Sequence, residues 1–200
     1  MNDQNRAGMI VGVSTHLDDP REQRAWTFDA RGFTLLAQPA EYTDTWATAV
    51  NDRGDIFGAA TRDRNTAEWE PFVWPADNPA APRAVGLPKE FSERLYGFVD
   101  IDHDGSLIYN THDGPGRWKD GGVHWRAPDA RPQPLPGCTW AFDMNRDRLV
   151  LGTEETPFGT PQYYGVWHDG SYAGRLPALP THPLIAPRFV GDDGAIVFSG

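Results

Sequence analysis

The chain repeats itself, and no other feature constrains its fold as strongly. In "WATAVNDRGDIFGAA" (46–60) an apolar run meets Asn51, turns through Asp52-Arg53-Gly54 and resumes as Ile56-Phe57-Gly58. The same succession returns in "GFVDIDHDGSLIYNT" (97–111), "WAFDMNRDRLVLGTE" (140–154) and "APRFVGDDGAIVFSG" (186–200), and more weakly in "MNDQNRAGMIVGVS" (1–14). Aligned on the turn, Gly12, Gly58, Tyr109, Gly152 and Phe198 are equivalent, at intervals of 46, 51, 43 and 46 residues. The turn position Asn51 then matches Asn5, Asp102, Asn145 and Gly191. A second element follows as "AWTFD", "PFVWP", "GVHWR" and "YGVWH", with 15 or 16 residues from each aligned position to Phe28, Trp74, Trp125 or Trp167. A shorter apolar segment closes each unit: "FTLLA", "RAVGLP", "QPLPG" and "GRLPALP".

Each unit therefore reads as four short strands, the first two joined in a tight hairpin by an Asx-type turn. No window of a dozen residues carries the 3.6-residue period of a helix. The 21 Gly and 18 Pro supply frequent reversals, as short strands need. A unit of roughly 45 residues with four strands is the size of a propeller blade. One such sheet cannot bury both faces alone, so apolar residues on both faces call for stacking. The expected fold is all-β, a small propeller of four-stranded antiparallel blades. Four blades are expected, with five as the alternative, in repeats near 1–41, 42–91, 92–137, 138–182 and 183–200. The last segment is expected to complete the first sheet, because "MNDQN" is too polar for a strand of its own.

The repeat resembles the HAF repeat, whose pattern runs roughly A-x-x-I-N-x-x-G-x-I-V-G and then an A-F-x-W-like strand. The nearest copies are "ATAVNDRGDIFG" (47–58) with "PFVW" (71–74), and "AFDMNRDRLVLG" (141–152) with "YGVW" (164–167). The resemblance spans nearly the whole chain and implies a propeller-like array. It implies almost nothing about activity. Members of that family are often extracellular.

The net charge of −10 and a sequence pI near 4.9 argue against a broad basic surface for nucleic acid or anionic lipid. Cys138 is the single cysteine, so no intrachain disulfide forms, and a buried structural thiol is expected. The first 15 residues show no signal peptide, and no apolar run is long enough for a membrane helix. The expectation is a cytoplasmic protein, monomeric or weakly homodimeric, with a small-molecule or glycan ligand.

"DIDHDG" (100–105) spells the start of an EF-hand loop, with Asp100, Asp102 and Asp104 as calcium candidates. The twelfth position, which must be a bidentate carboxylate, is Thr111. The repeat gives the stretch a second meaning, since Asp102 occupies the turn position that Asn51 fills elsewhere. No cofactor is otherwise expected. Asp100 and Asp143 are equivalent carboxylates in first strands, where the second unit has Ala49. With His124, which stands where other units carry Thr27, Val73 and Val166, and with His112, they form the candidate acid–base set. The loops between second and third strands differ freely and add Trp69, Trp118, Phe158, Tyr163 and His16, candidates for stacking on a ligand.

Two functions are compatible with this pattern. One is a propeller scaffold that binds a small molecule or carbohydrate in a rim or central pocket. The other is a small biosynthetic enzyme, a lyase, cyclase or hydrolase of secondary metabolism, using His and Asp near the axis.

Overall fold

The computed structural model describes residues 2–16, 18–19, 22–65, 68–86, 95–111, 121–126, 131–156, 163–177 and 186–199. The described residues are all-β, and the chain divides into two compact units, Met1–Glu93 and Arg94–Gly200.

Unit 1 holds two antiparallel sheets of four strands in sequence order. The first comprises β1 (Asp3–Gln4), β2 (Ile10–Thr15), β3 (Gln23–Asp29) and β4 (Gly32–Leu35). The second comprises β5 (Asp44–Val50), β6 (Ile56–Thr61), β7 (Glu70–Trp74) and β8 (Arg83–Ala84). Unit 2 holds two more: β9 (Leu95–Ile101), β10 (Leu107–Thr111), β11 (Gly122–Trp125) and β12 (Gln133–Pro134), then β13 (Cys138–Met144), β14 (Leu149–Glu154), β15 (Tyr164–His168) and β16 (Ser171–Arg175). A two-stranded sheet, β17 (Ala186–Val190) and β18 (Ile196–Ser199), follows.

Register reproduces the repeat alignment. Ile10 faces Phe28, Ile56 faces Trp74, Leu107 faces Trp125 and Val150 faces Trp167. The three indoles are at most 2% exposed and anchor their sheets. Burying each aromatic side chain contributes on the order of 2–3 kcal/mol. Two of the indole N–H groups stay satisfied by loop carbonyls, Trp74 on Ala37 at 2.7 Å and Trp167 on Pro136 at 2.9 Å. In unit 1 Trp74 packs with Val11, Leu36, Val50, Ile56 and Phe72; in unit 2 Trp167 packs with Ile108, Leu135, Met144 and Val150. Cys138 is buried in that second core as a free thiol.

The hairpin turn is the same in all five copies. The amide of Gly8, Gly54, Gly105, Arg148 or Gly194 donates to the carbonyl of Asn5, Asn51, Asp102, Asn145 or Gly191, at 2.9–3.0 Å. That donor residue is left-handed each time, with φ between 60° and 91°. Glycine meets this demand freely in four turns, and Arg148 meets it under strain.

The first strand carries an extra residue at one repeat position: Thr48, Val99, Phe142 and Arg188 each form a β-bulge. Beside two of these bulges the strand presses on the glycine opposite. A Cβ on Gly58 would lie 1.9 Å from the Trp46 carbonyl oxygen, and one on Gly152 would lie 2.6 Å from that of Trp140.

Two expectations change. The first sheet has its own opening strand, since Asp3 and Gln4 pair with Val11 and Ile10, while β17 and β18 pair with each other. The polarity of "MNDQN" has another cause: Asn2 donates to the Ala47 carbonyl at 2.7 Å, and Asp3 accepts from the Val50 amide. The closing strand of the fourth sheet also begins earlier than "GRLPALP". Asp169 and Gly170, with φ of 51° and 81°, make a two-residue turn that starts β16 at once.

Gly58→Ala tests the bulge contact. Because the nearest atom is backbone, relief requires the strand to move, and the substitution is expected to cost on the order of 3 kcal/mol. The urea midpoint measures it, with Gly86→Ala, which meets open space, as the control.

Candidate functional site

The first-strand carboxylates have a defined task. Asp143 Oδ2 accepts the Val190 amide at 2.7 Å, and Asp100 Oδ2 accepts that of Met144 at 3.3 Å. Asp100 Oδ1 also accepts the Ile101 amide at 2.7 Å. Register adds a third member that the sequence reading missed. Asp3, opposite Val11, matches Asp100 opposite Ile108 and Asp143 opposite Leu151. Its Oδ2 accepts the Val50 amide at 2.8 Å. Each carboxylate thus reaches the last residue of the next hairpin's first strand. Asp100 and Asp143 therefore each carry a structural bond to the next hairpin. Their shared spacing with Asp3 was the available signal, hidden because "MNDQN" does not look like a strand.

The turn asparagines act beside them. Asn145 Oδ1 accepts the amides of Asp147 and Leu149 at 3.1 and 2.9 Å, and Asn51 does the same for Arg53 and Asp55. Asn5 Nδ2 donates to the Asn51 carbonyl at 3.0 Å, and Asn145 Nδ2 donates to that of Gly191 at 2.9 Å.

"DIDHDG" is the third copy of this turn. Asp102 is 3% exposed, and its Oδ1 accepts the His103 amide and lies 2.5 Å from His103 Nδ1. Asp104 Oδ1 accepts the Ser106 amide at 2.9 Å. Among the described residues no group of three or more His, Cys, Asp or Glu side chains gathers as a metal site. Burial raises the Asp102 carboxyl above the usual range, against the lowering effect of His103.

His124 is 2% exposed, and its Nε2 makes no hydrogen bond among the described residues. Burial, followed by the nearby Arg126, holds its pKa below the ordinary histidine value. The ring is therefore neutral near pH 7. Around it, Arg126 pairs with Asp169, and Arg148 lies 3.4 Å from Asp169 and 3.7 Å from Asp104.

An exposed aromatic pair lies in unit 1, where β5 begins, β6 ends and β7 begins. Trp46 is 38% exposed in a strand otherwise buried apart from the partly covered Thr48. Its ring meets Trp69 edge-on, with centroids 5.9 Å apart. On the other face of that sheet, where Ala60 and Phe72 lie, Tyr42 donates its hydroxyl to Glu70, and Arg62 Nη2 donates to the Tyr42 oxygen at 2.7 Å. The Arg62 guanidinium sits 4.7 Å above the Tyr42 ring and 3.4 Å from Glu70. Tyr42 is fixed beneath by edge contact with Phe72 at 5.0 Å. Its pKa is pushed up to about 12, first by burial and then by Glu70.

A chemically similar group lies in unit 2. Arg175 stacks 4.0 Å from the Tyr163 ring and donates through Nε to Glu154 at 2.8 Å. Tyr172 donates to the other Glu154 oxygen at 2.7 Å. Burial works to raise Glu154, but the bonds from Arg175 and Tyr172 outweigh it and hold the carboxyl below its usual range. His16 is exposed, and its Nδ1 accepts the Asp18 amide at 3.2 Å. His112, Trp118 and Phe158 lie outside the described residues. No helix among the described residues is long and apolar enough to cross a membrane.

No family model matches the chain, and no curated protein matches it. Solved structures do. An acylaminoacyl peptidase in complex with Z-Gly-Gly-Phe-chloromethyl ketone aligns with TM-score 0.57 at 12% identity, over 91% of this chain and 28% of that one. A Pyrococcus horikoshii acylaminoacyl peptidase aligns with TM-score 0.53 at 12% identity, over 90% and 28%. This chain spans little more than a quarter of their length, and at such identity the likeness is one of fold. Fold and register together define the class: an all-β repeat protein of four-stranded antiparallel sheets of the kind that build propeller blades.

Two substitutions test these assignments by chemical denaturation. Asp143→Ala removes a charged acceptor and is expected to cost about 2 kcal/mol. Asp102→Asn is expected to add about 1 kcal/mol at pH 7, because the amide can donate as Asn5 and Asn145 do. The wild-type Asp102, raised in the folded state, loses stability as pH climbs through its folded pKa. The advantage of Asp102→Asn should therefore shrink as pH is lowered toward the unfolded carboxylate value of about 3.9.

Proposed function

We propose that this chain is a ligand-binding scaffold of the propeller type, built of HAF-like repeats, whose unit 1 surface around Trp46 takes a neutral carbohydrate. The observation that carries the reading is Trp46, a large indole exposed in the middle of a strand that is otherwise buried. An exposed indole face offers apolar area for the C–H face of a sugar ring. Glu70, Arg62 and Tyr42 form a polar group on the other face of the same sheet, so the indole pair of Trp46 and Trp69 alone carries the reading. The net charge of −10 disfavours an anionic ligand.

The acid–base alternative draws less support. Its two carboxylates, Asp100 and Asp143, are engaged by backbone amides.

Calorimetry and tryptophan fluorescence against a panel of neutral oligosaccharides test the proposal. Saturable binding, about tenfold weaker in Trp46→Ala with the fold intact, is the expected result. Absence of binding across the panel, or binding that Trp46→Ala and Trp69→Ala both leave unchanged, would overturn it.

A further inference from the structure

Unit 2 buries an ionisable ring where the other sheets place an uncharged side chain. His124 in β11 stands at the position of Thr27, Val73 and Val166. It lies directly opposite Ile108, so the two side chains share a face of the third sheet. Ile108 packs with Ala141, Val150 and Trp167 of the fourth sheet. The ring therefore sits at the joint between these two sheets. A Cβ on Gly170, in the turn between β15 and β16, would lie 3.6 Å from its Nδ1.

Among the described residues, charged groups face the ring from four elements: Arg126 just past β11, Asp104 in the β9–β10 turn, Arg148 in the β13–β14 turn and Asp169 in the β15–β16 turn. They are already paired. Arg126 bonds the Asp169 carboxylate and donates to the Asp169 carbonyl at 3.0 Å. Arg148 lies between Asp169 and Asp104, and Asp104 also accepts the Ser106 amide. Two cations thus balance two anions around a neutral imidazole. A proton on the ring breaks that balance by adding a third positive charge beside two guanidiniums. It also puts an N–H on Nε2, which has no hydrogen-bond partner among the described residues.

We propose that His124 is an acid-sensitive latch between the third and fourth sheets, closed when the ring is neutral and opened when protonation drives the β15–β16 turn away from β11. Closed, the ring fills the position that Val73 and Val166 take in their own sheets. Open, it gains water for its charge. The tether that opposes the movement is Arg126 on Asp169. The direction follows from linkage. Burial and Arg126 hold the folded ring below the ordinary histidine value of about 6.5. The stability of the closed joint is therefore full above that value and is lost as pH falls below it toward the folded pKa.

Amide hydrogen exchange on the full chain, followed by NMR, tests the latch. The reporter is the Asp169 amide, which donates to the Arg148 carbonyl at 3.1 Å. The control is the Gly54 amide of unit 1, which donates to the Asn51 carbonyl at 2.9 Å. Between pH 7 and pH 5.5 the protection factor at Asp169, corrected for the intrinsic pH dependence of exchange, should fall about tenfold in the wild type. It should stay constant in His124→Val and His124→Gln, whose side chains do not titrate, and protection at Gly54 should not change. Valine matches two other repeats and glutamine keeps a polar group, so if one variant fails to fold the other carries the comparison. Constant protection at Asp169 in the wild type, an equal fall in a folded variant, or a fall shared by Gly54 would each overturn the proposal.

Discussion

One carboxylate oxygen and one asparagine nitrogen join a hairpin to the next, and the remaining structure depends on that pair. A four-stranded sheet with apolar side chains on both faces has no stable existence alone. Hydrophobic burial draws two such sheets together but does not say in what register, because apolar contact is non-directional. The bonds from Asp3 to Val50 and from Asn5 to Asn51 do say so, fixing one turn against the next to within a hydrogen bond. Asp143 and Asn145 repeat the arrangement. Ala49, at the same position of the second repeat, has no carboxylate to offer.

The turn that carries these groups is itself over-determined. A left-handed fourth residue, a cross-turn amide bond and an Asn or Asp oxygen all define one geometry. Such agreement lets a weak copy such as Gly191, with no side chain, keep the shape through Gly194 and the Asp193 carboxylate, which accepts the Ala195 amide at 2.9 Å. It also explains why Asp102 is accommodated at a position that asparagine fills in three other turns. The backbone makes the turn, and the side chain decides what reaches beyond it.

Much of this was legible in the residues. The alignment on Gly12, Gly58, Tyr109 and Gly152 is the alignment of the sheets, because spacing to the buried aromatic cannot drift without breaking strand pairing. What escaped was tertiary. Asp3 belongs with Asp100 and Asp143, but a two-residue strand leaves no period to read. The bulges at Thr48, Val99, Phe142 and Arg188 leave no mark either, since a bulge is a property of pairing. Of the candidate residues, Trp69 proved to lie beside an exposed indole, Trp46, that looked like ordinary strand core. Periodicity cannot tell which side of a sheet another sheet will cover.

The intervals between repeats range from 43 to 51 residues, yet the turns superimpose in register. The interval from each aligned position to the buried aromatic stays at 15 or 16 residues, so most of the variation falls elsewhere in each repeat. A gene built this way can lengthen or shorten its loops, or exchange one for another, as if changing cassettes in a fixed frame. Diversity can then accumulate in the connecting segments while the turns hold the alphabet constant.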